Sequence, residues 1–207
     1  MRYNPAIHHR RSIRLPGYDY TQCGAYFVTV CTKSRDLPLG DVVDGEVQMS
    51  PLGRLADRAW CWLAGRYPYV RLDAHIVMPN HLHGILWILD DSAGTVRKST
   101  PVQQPPLSSA QHKPLGRLIG AFKTVSTKWA NYVQKTPGDP LWQRNYYEHI
   151  ICNEDEMERI REYIIENPTK WAEDENNPAN MIHLTGGSHS RGGSRTAPTH
   201  IPCPPHP

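Results

Sequence analysis

Two histidines separated by a single residue are the side chains of this sequence best suited to do chemistry. His81 and His83 lie in a segment rich in β-branched, aliphatic and aromatic residues, which predicts a β-strand over 81–89. Because side chains alternate between the two faces of a strand, both imidazoles project to the same side. Neutral imidazoles in this arrangement bind divalent metal ions and leave coordination positions open for substrate oxygens. The same pattern also fits two polar residues on a half-exposed strand.

A predicted helix further along the chain carries the candidate partners of this pair. Asn153, followed by three acidic residues, is typical of a helix N-cap, and Pro168 ends the helix at about Asn167. Glu156 stands three residues after Asn153, which resembles a capping box. Tyr163 and Asn167 then lie one turn apart on the same face, with Cβ atoms about 5–6 Å apart.

A phenol and an amide oxygen beside a two-histidine metal site have the chemistry of phosphoryl transfer. The metal polarises a phosphodiester oxygen while the tyrosine attacks phosphorus. The simpler alternative is that Tyr163 lies at the edge of the core and that Asn167 only ends the helix.

The elements that must position these residues show alternating strand and helix signals. The predicted elements are a strand at 24–32, a hairpin at Asp44–Gly45, a helix from Pro51 to about Tyr67 capped by Ser50, strands at 69–78 and 81–89, a helix at 115–134 and a strand at about 142–151. With the tyrosine helix at the end, this order predicts an α+β fold of the ferredoxin-like split βαβ type. It is a sandwich of an antiparallel sheet with helices on one face, plus a late helix that carries the tyrosine.

Composition divides the 207 residues into three parts. Residues 1–23 form a basic arm with several aromatic residues, and residues 24–180 carry the periodic segments of one folded domain. Residues 90–114 are rich in Ser, Thr, Pro and Gln, which predicts a flexible insertion within that domain. Residues 181–207 lack periodicity, and we expect them to be disordered.

The distribution of charge is more informative than the net charge. The net charge is only +3, but the segment 92–138 contains no Asp or Glu and seven Lys or Arg residues. Such segregation favours binding to a phosphate backbone, although an ordinary solvated surface has the same pattern. The residues that we predict to bind nucleic acid are Arg10, Arg11 and Arg14 of the arm and Arg117, Lys123 and Lys128 of the helix at 115–134.

Six segments, in collinear order over roughly residues 8–175, carry a resemblance to a known family. They are Arg10–Tyr20, Gly24–Thr32, Met78–Gly84, Leu118–Lys123, Leu141–His149 and Tyr163–Pro168. On these segments the chain resembles the HUH single-tyrosine transposases, in particular the branch of REP-associated tyrosine transposases.

The resemblance implies a metal-dependent single-stranded DNA endonuclease and strand transferase. Such an enzyme acts at hairpin-forming palindromic repeats through a covalent 5′-phosphotyrosine intermediate. By this resemblance residues 24–180 are the catalytic domain, Tyr163 is the nucleophile, and His81, His83 and Asn167 bind Mg²⁺ or Mn²⁺. Manganese suits imidazole ligands better, because magnesium prefers oxygen. Single-stranded or hairpin DNA is the expected partner; the target sequence and the choice between monomer and homodimer stay open.

Other interpretations fit part of the pattern. A ferredoxin-like sheet can bind single-stranded nucleic acid without cleaving it, as an RRM does, but the sequence lacks the aromatic-rich RNP signature. The histidine pair could instead hold a structural zinc ion together with His75, His149 or Cys152. Tyr146 and Tyr147 are rival nucleophiles, but neither has an amide side chain four residues further along.

The cysteines and the apolar segments indicate the cellular compartment in which the protein works. The five cysteines show no Cys-x-x-Cys spacing, and we find no signal peptide and no apolar run long enough to span a bilayer. These features predict a cytoplasmic protein without membrane contact, and the resemblance implies that it is bacterial and associated with the nucleoid.

Overall fold

The computed structural model describes residues 17–34, 36–90, 112–174 and 176–181. The strands are β1 (Gly24–Cys31), β2 (Gly40–Val43), β3 (Glu46–Met49), β4 (Val70–Met78), β5 (His81–Ile88) and β6 (Tyr147–Ile151). The helices are α1 (Pro51–Arg66), α2 (Leu115–Gln134), α3 (Glu154–Glu166) and the short α4 (Pro178–Met181), with a 3₁₀ turn at Trp171–Glu173. The predictions made for Arg10, Arg11 and Arg14, for most of the insertion and for the tail lie outside the described residues.

Four strands form one antiparallel sheet in the order β4-β5-β1-β6. β1, α1 and β4 make one split βαβ unit, and β5, α2 and β6 make the second, interleaved with the first. The predicted α+β, ferredoxin-like arrangement is therefore confirmed. The hairpin predicted at Asp44–Gly45 joins β2 and β3, which form a separate two-stranded sheet.

The sheet separates two hydrophobic cores. On one face α1 and α2 pack against the sheet, with Trp60 and Phe122 buried beside Tyr26. On the other face α3 packs against the sheet, and Ile160 of α3 and Phe27 of β1 belong to one buried cluster. Each large apolar side chain buried in this way contributes about 1.5–3 kcal/mol. The histidine strand β5 lies in the interior of the sheet, where both neighbouring strands hold it.

The helix starts agree with their sequence signals except in one detail. The Ser50 hydroxyl accepts hydrogen bonds from the backbone N–H groups of α1, and Asn153 Oδ1 accepts one from the Glu156 N–H at 2.8 Å. The capping-box prediction for Glu156 is wrong. Its carboxylate is buried, where it accepts from the Cys152 N–H and contacts His149 Nε2, each at 2.8 Å. Within the described residues, no helix combines the length and the apolar character that crossing a lipid bilayer requires.

The strand predicted at about 142–151 is shorter in the structure. β6 begins at Tyr147, and Trp142 makes only an isolated bridge to Thr32. Between them, the Lys123 ammonium donates to the backbone carbonyl oxygens of residues 143–145 at 2.8 to 3.4 Å. These carbonyl groups are satisfied by a side chain rather than by a neighbouring strand.

Candidate active site

β5 presents His81 and His83 on the face of the sheet that α3 covers. Both side chains are buried, and their Nε2 atoms are 3.0 Å apart. Phe27 of β1 stacks on the His83 ring, with 5.5 Å between centroids and 23° between planes. The two imidazoles thus meet on one face, as the alternation along a strand requires.

A hydrogen bond to Asn80 determines which nitrogen of His81 carries its proton. Asn80 Nδ2 donates to the carbonyl oxygen of Asn176 at 2.7 Å, so Asn80 Oδ1 is the atom that faces His81 Nδ1, at 2.9 Å. Because Oδ1 can only accept, His81 Nδ1 is the protonated nitrogen. The lone pair of His81 Nε2 is left directed toward His83, ready to bind a cation.

Thr29 holds the His83 ring through a hydrogen bond, but it does not fix which ring nitrogen carries the proton. Its hydroxyl is 2.8 Å from His83 Nδ1, because the register of β1 and β5 places the two residues opposite each other. A hydroxyl both donates and accepts, so it satisfies either neutral tautomer of His83. His83 can therefore donate from Nε2 to His81 or present an Nε2 lone pair, without losing its bond to Thr29.

Burial keeps both imidazoles neutral. It lowers the pKa of His81 to about 3 and that of His83 well below its usual range, with the neighbouring His81 adding to the second effect. A neutral imidazole is the form that binds metal ions.

Tyr163 of α3 reaches the histidine pair within the same chain. Its hydroxyl oxygen is 3.4 Å from His83 Nε2, and the two ring centroids are 5.2 Å apart. The Tyr163 ring also packs edge-on against Phe27 at 6.0 Å. The side chain is only partly buried, so a substrate can approach the hydroxyl from solvent.

Asn167 directly follows the last residue of α3, one turn beyond Tyr163. Its side chain is buried, and its Oδ1 accepts no hydrogen bond from the residues that the structure describes. Trp171, one turn further along, lies beside His81 with 6.0 Å between centroids, so this segment runs past the histidine pair. A buried amide oxygen without a donor costs about 1–3 kcal/mol, and an ion would remove that cost.

The donor atoms of this site fit a divalent metal ion. Two nitrogens 3.0 Å apart have about the separation of adjacent ligands on an octahedral ion with bonds of about 2.1 Å. Imidazole nitrogens are less suited to Mg²⁺, which prefers oxygen ligands, than to a softer divalent ion such as Mn²⁺.

An ion pair fixes the position of α3 on the sheet. Arg161 donates from Nε and from a terminal nitrogen to the two carboxylate oxygens of Asp73, at 2.9 and 2.8 Å. Trp87 Nε1 donates to the same carboxylate at 3.3 Å. The Arg161 guanidinium holds the pKa of Asp73 well below its usual range. Since Arg161 precedes Tyr163 by two residues, this pair helps to hold the tyrosine over the histidines.

Asp73→Asn should lower the free energy of unfolding at pH 7 by about 1–3 kcal/mol, because it removes a two-point charged hydrogen bond. The pKa of Asp73 is depressed in the folded state, so its contribution is present above the unfolded pKa of about 3.9 and is lost as the pH falls below it. Urea unfolding at pH 7 and at pH 3 measures both effects. Asp139→Asn is the matched control, since its ion pair with Lys33 is exposed and should contribute less than about 1 kcal/mol. Equal effects of the two substitutions would contradict the role given to Asp73.

The buried histidines predict a second pH dependence, in the metal-free protein. The unfolded chain binds protons on these imidazoles near pH 6.5, whereas His81 stays neutral in the folded state down to about pH 3. Their contribution to stability is therefore complete above about pH 6.5 and decreases as the pH falls, by up to about 1.4 kcal/mol per pH unit for each histidine. Urea unfolding in EDTA between pH 7 and pH 5 should show a smaller slope for His81→Gln. An unchanged slope would mean that His81 is protonated in the folded protein.

Of the basic residues predicted to bind nucleic acid, the three that the structure describes do not lie together with this site. Arg117 and Lys128 are exposed on α2, which packs on the opposite face of the sheet. Lys123 is half-buried and donates to three backbone carbonyls, and its burial lowers its pKa to about 8. A contact between Lys123 and DNA would require these bonds to break.

The rival residues considered from the sequence have other contacts in the structure. His75 contacts Asp57 Oδ1 at 2.9 Å on the far face of the sheet, and His149 contacts buried Glu156. Tyr147 packs on Phe27 at 6.2 Å, and burial raises the pKa of its hydroxyl. Among the described residues, therefore, the histidine pair does not form a zinc-binding group of three with His75, His149 or Cys152.

Two residues of the site were not singled out from the sequence. Asn80 adjoins the histidine motif, and its position in a tight connection between two strands could have suggested a side chain that bonds locally. Thr29 carries no such signal, because only the pairing of β1 with β5 brings it to His83.

Comparison with solved structures defines the class of fold. The chain is similar to a REP-associated tyrosine transposase whose structure was solved bound to a REP hairpin, with a TM-score of 0.51, 17% identity, and coverage of 78% of this chain and 74% of that one. A Deinococcus radiodurans protein described as a transposase shares 23% identity over 73% of this chain and 94% of its own, but its TM-score of 0.38 is too low to bear on the fold. The protein thus has the α+β fold of a REP-associated tyrosine transposase, which confirms the predicted resemblance at the level of fold.

Sequence comparison places the chain in a family. No family model matches the sequence. A Haemophilus influenzae protein, described as uncharacterized, is 37% identical over 175 residues, which cover 84% of this chain and 96% of that protein. The chain belongs to the same family as this Haemophilus protein.

Proposed function

We propose that this protein is a metal-dependent single-stranded DNA endonuclease and strand transferase that acts as a transposase at hairpin-forming palindromic repeats. One observation carries the proposal: the Tyr163 hydroxyl is 3.4 Å from His83 Nε2, which is itself 3.0 Å from His81 Nε2. The shared fold supports DNA as the substrate, since the similar transposase was solved with a REP hairpin.

His81, His83 and Asn167 are the residues that would hold Mg²⁺ or Mn²⁺. When bound, such an ion would supply positive charge to offset the charge that develops on a scissile phosphate and would help to align the phosphorus. Asn80 and Thr29 keep both imidazoles in orientations that present Nε2 to the same point. These hydrogen bonds preorganise the ligands, which limits the reorganisation needed on binding.

Tyr163 is the nucleophile in this proposal. Its hydroxyl oxygen attacks phosphorus and loses its proton to solvent, while the bond between phosphorus and the 3′-oxygen of the upstream nucleotide breaks. That 3′-oxygen takes up a proton and leaves as a 3′-OH, and the downstream strand stays attached to Tyr163 through its 5′-phosphate. The phosphotyrosine bond keeps the energy of the phosphodiester, so the 3′-OH of a second strand can attack it and restore Tyr163 without ATP.

The placement of the basic residues limits how DNA can bind. The histidine pair lies on one face of the sheet, whereas Arg117 and Lys128 are exposed on the helix that covers the other face. A hairpin bound to both regions would pass around an edge of the sheet. The nucleophile and the histidines come from one chain, so a monomer carries these groups without a second subunit.

End-labelled oligonucleotides test the proposal. A pool of hairpins with randomised single-stranded flanks is incubated with the protein and Mn²⁺, with one sample labelled at the 5′ end and another at the 3′ end. A 5′-phosphotyrosine intermediate predicts that the 3′ label becomes attached to protein while the 5′ label is released on a shorter strand, and that EDTA blocks both.

Two outcomes would overturn the proposal. Attachment of the 5′ label to protein would mean a linkage of the opposite polarity. Binding of the oligonucleotides without cleavage in Mn²⁺ or Mg²⁺ would instead favour the non-catalytic module that binds single-stranded nucleic acid. Equal affinity for the hairpins and for a scrambled, unpaired oligonucleotide would show that the protein does not prefer hairpins.

A further inference from the structure

A second group of metal-binding side chains lies on the opposite face of the sheet from the histidine pair. Asp57 and Cys61 stand one turn apart on α1, and His75 is on β4. One ligand atom from each of the three lies within 4.8 Å of the others, and His75 Nε2 is 2.9 Å from Asp57 Oδ1. No other such group of three His, Cys, Asp or Glu side chains occurs among the described residues.

The three side chains offer the donor atoms of a zinc site. Zinc binds thiolate, imidazole and carboxylate groups in tetrahedral geometry, and three protein ligands leave the fourth position to water. The thiolate of Cys61 favours a softer ion than the magnesium or manganese expected at the histidine pair. Cys61 is exposed, and Asp57 and His75 are only partly buried, so an ion can enter from solvent without opening the fold.

The scaffold holds His75 in place before any ion binds. The His75 ring packs beside Trp60, which is fully buried, with 6.3 Å between centroids. Gly84 makes this packing possible, because a Cβ at that position would lie 2.6 Å from the Trp60 ring. A register shift between Leu72 and His75 interrupts the pairing of β4 with β5 immediately before the histidine. Such irregularities direct individual side chains.

Cys61 distinguishes a metal site from an ordinary ion pair. An ion pair of Asp57 with His75 needs no thiol beside it. The Cys61 thiol adds a sulfur donor to the carboxylate and the imidazole, and this mixed set of donors is one that zinc binds in proteins.

We propose that Asp57, Cys61 and His75 bind a zinc ion that links α1 to the edge strand β4. This site is separate from the endonuclease activity proposed above and does not depend on it. The ion would cross-link α1 and β4 through Asp57 and His75, which are 18 residues apart in the sequence. It would stabilise the packing of α1 against the sheet, while DNA cleavage would require only the opposite face.

Cobalt binding to the full-length protein tests the site, because only a cysteine ligand gives a thiolate-to-cobalt charge-transfer absorption. We expect one Co²⁺ per chain with this absorption, its displacement by Zn²⁺, and a Tm that rises by several degrees with zinc. Cys61→Ser should remove the absorption, and Asp57→Asn should weaken zinc binding by about tenfold or more. Circular dichroism verifies that both variants fold.

Two matched cysteine variants complete the test. Cys23→Ser alters an exposed cysteine outside the cluster and should change nothing. Cys31→Ser is needed because Cys31 stands opposite His81 in the sheet register. Loss of the absorption in Cys31→Ser rather than Cys61→Ser would assign the thiolate to the histidine pair and overturn the proposal. Absence of the absorption from the unmodified protein would overturn it as well, whatever the result of the DNA cleavage assay.

Discussion

Tyr163→Phe is expected to abolish covalent capture of single-stranded DNA, with a loss of at least about a thousandfold. The substitution removes only the hydroxyl oxygen that lies 3.4 Å from His83 Nε2. The ring keeps its contacts with Phe27 and His83, so the fold and the binding of DNA should not change. The measurement is transfer of the 3′ label to protein on a denaturing gel, with mass spectrometry of the adduct to identify the modified residue.

Tyr147→Phe is the matched control for this experiment. Tyr147 lies on the same face of the sheet and also packs on Phe27, at 6.2 Å. Burial raises the pKa of its hydroxyl, which makes the phenolate less accessible. Covalent capture should persist in Tyr147→Phe, and an adduct mapped to Tyr147, or one that survives in Tyr163→Phe, would show that the nucleophile has been misassigned.

Local sequence patterns predicted those parts of the fold that depend on local physics. The two-residue repeat of a strand places His81 and His83 on one face whatever the rest of the fold does. Helix capping predicts the N-cap at Asn153, and apolar periodicity predicts the limits of the helix at 115–134; the structure has both.

Sequence patterns were less reliable in predicting which side chains are buried, because burial depends on residues that are distant in the sequence. Apolar residues at helical spacing would place Val133 on the buried face of α2, yet Val133 is exposed near the C-terminus of the helix, whereas Ser126 is buried. The Ser126 hydroxyl donates to the Phe122 carbonyl oxygen and accepts from Trp142 Nε1, each at 2.7 Å. A polar side chain is tolerated there because both of its hydrogen-bonding roles are filled, and the sequence does not reveal the second partner.

Long-range pairing explains what the sequence left out of the candidate site. Thr29 precedes His83 by 54 residues, and their contact exists only because β1 pairs with β5 in one register. Lys123 shows that long-range contacts can also remove a residue from a predicted site. A lysine in a segment without acidic residues was predicted to contact phosphates, yet its ammonium group donates to three carbonyl oxygens of the loop before β6.

Replacing either histidine should have an effect nearly as large as that of Tyr163→Phe. We expect His81→Gln and His83→Gln each to lower the rate of Mn²⁺-dependent cleavage by about a hundredfold or more, since two nitrogens 3.0 Å apart are the core of the donor set. His112→Gln is the control, because His112 stacks on Tyr69 and takes no part in the site. Cleavage by both active-site variants at the normal rate would show that the histidines do not hold the catalytic ion.

A further prediction concerns Thr29, whose hydroxyl orients the proposed metal ligand His83. Thr29→Val keeps the shape of the side chain but removes the hydroxyl that contacts His83 Nδ1. Loss of such a supporting hydrogen bond should lower the affinity of the site for Mn²⁺ by about 10–100-fold. Excess Mn²⁺ should therefore restore most of the cleavage rate. Thr29→Ser keeps the hydroxyl and should behave like the unmodified protein. If Thr29→Val instead lowers the rate equally at all Mn²⁺ concentrations, the hydroxyl acts on the packing of the site and not on metal binding.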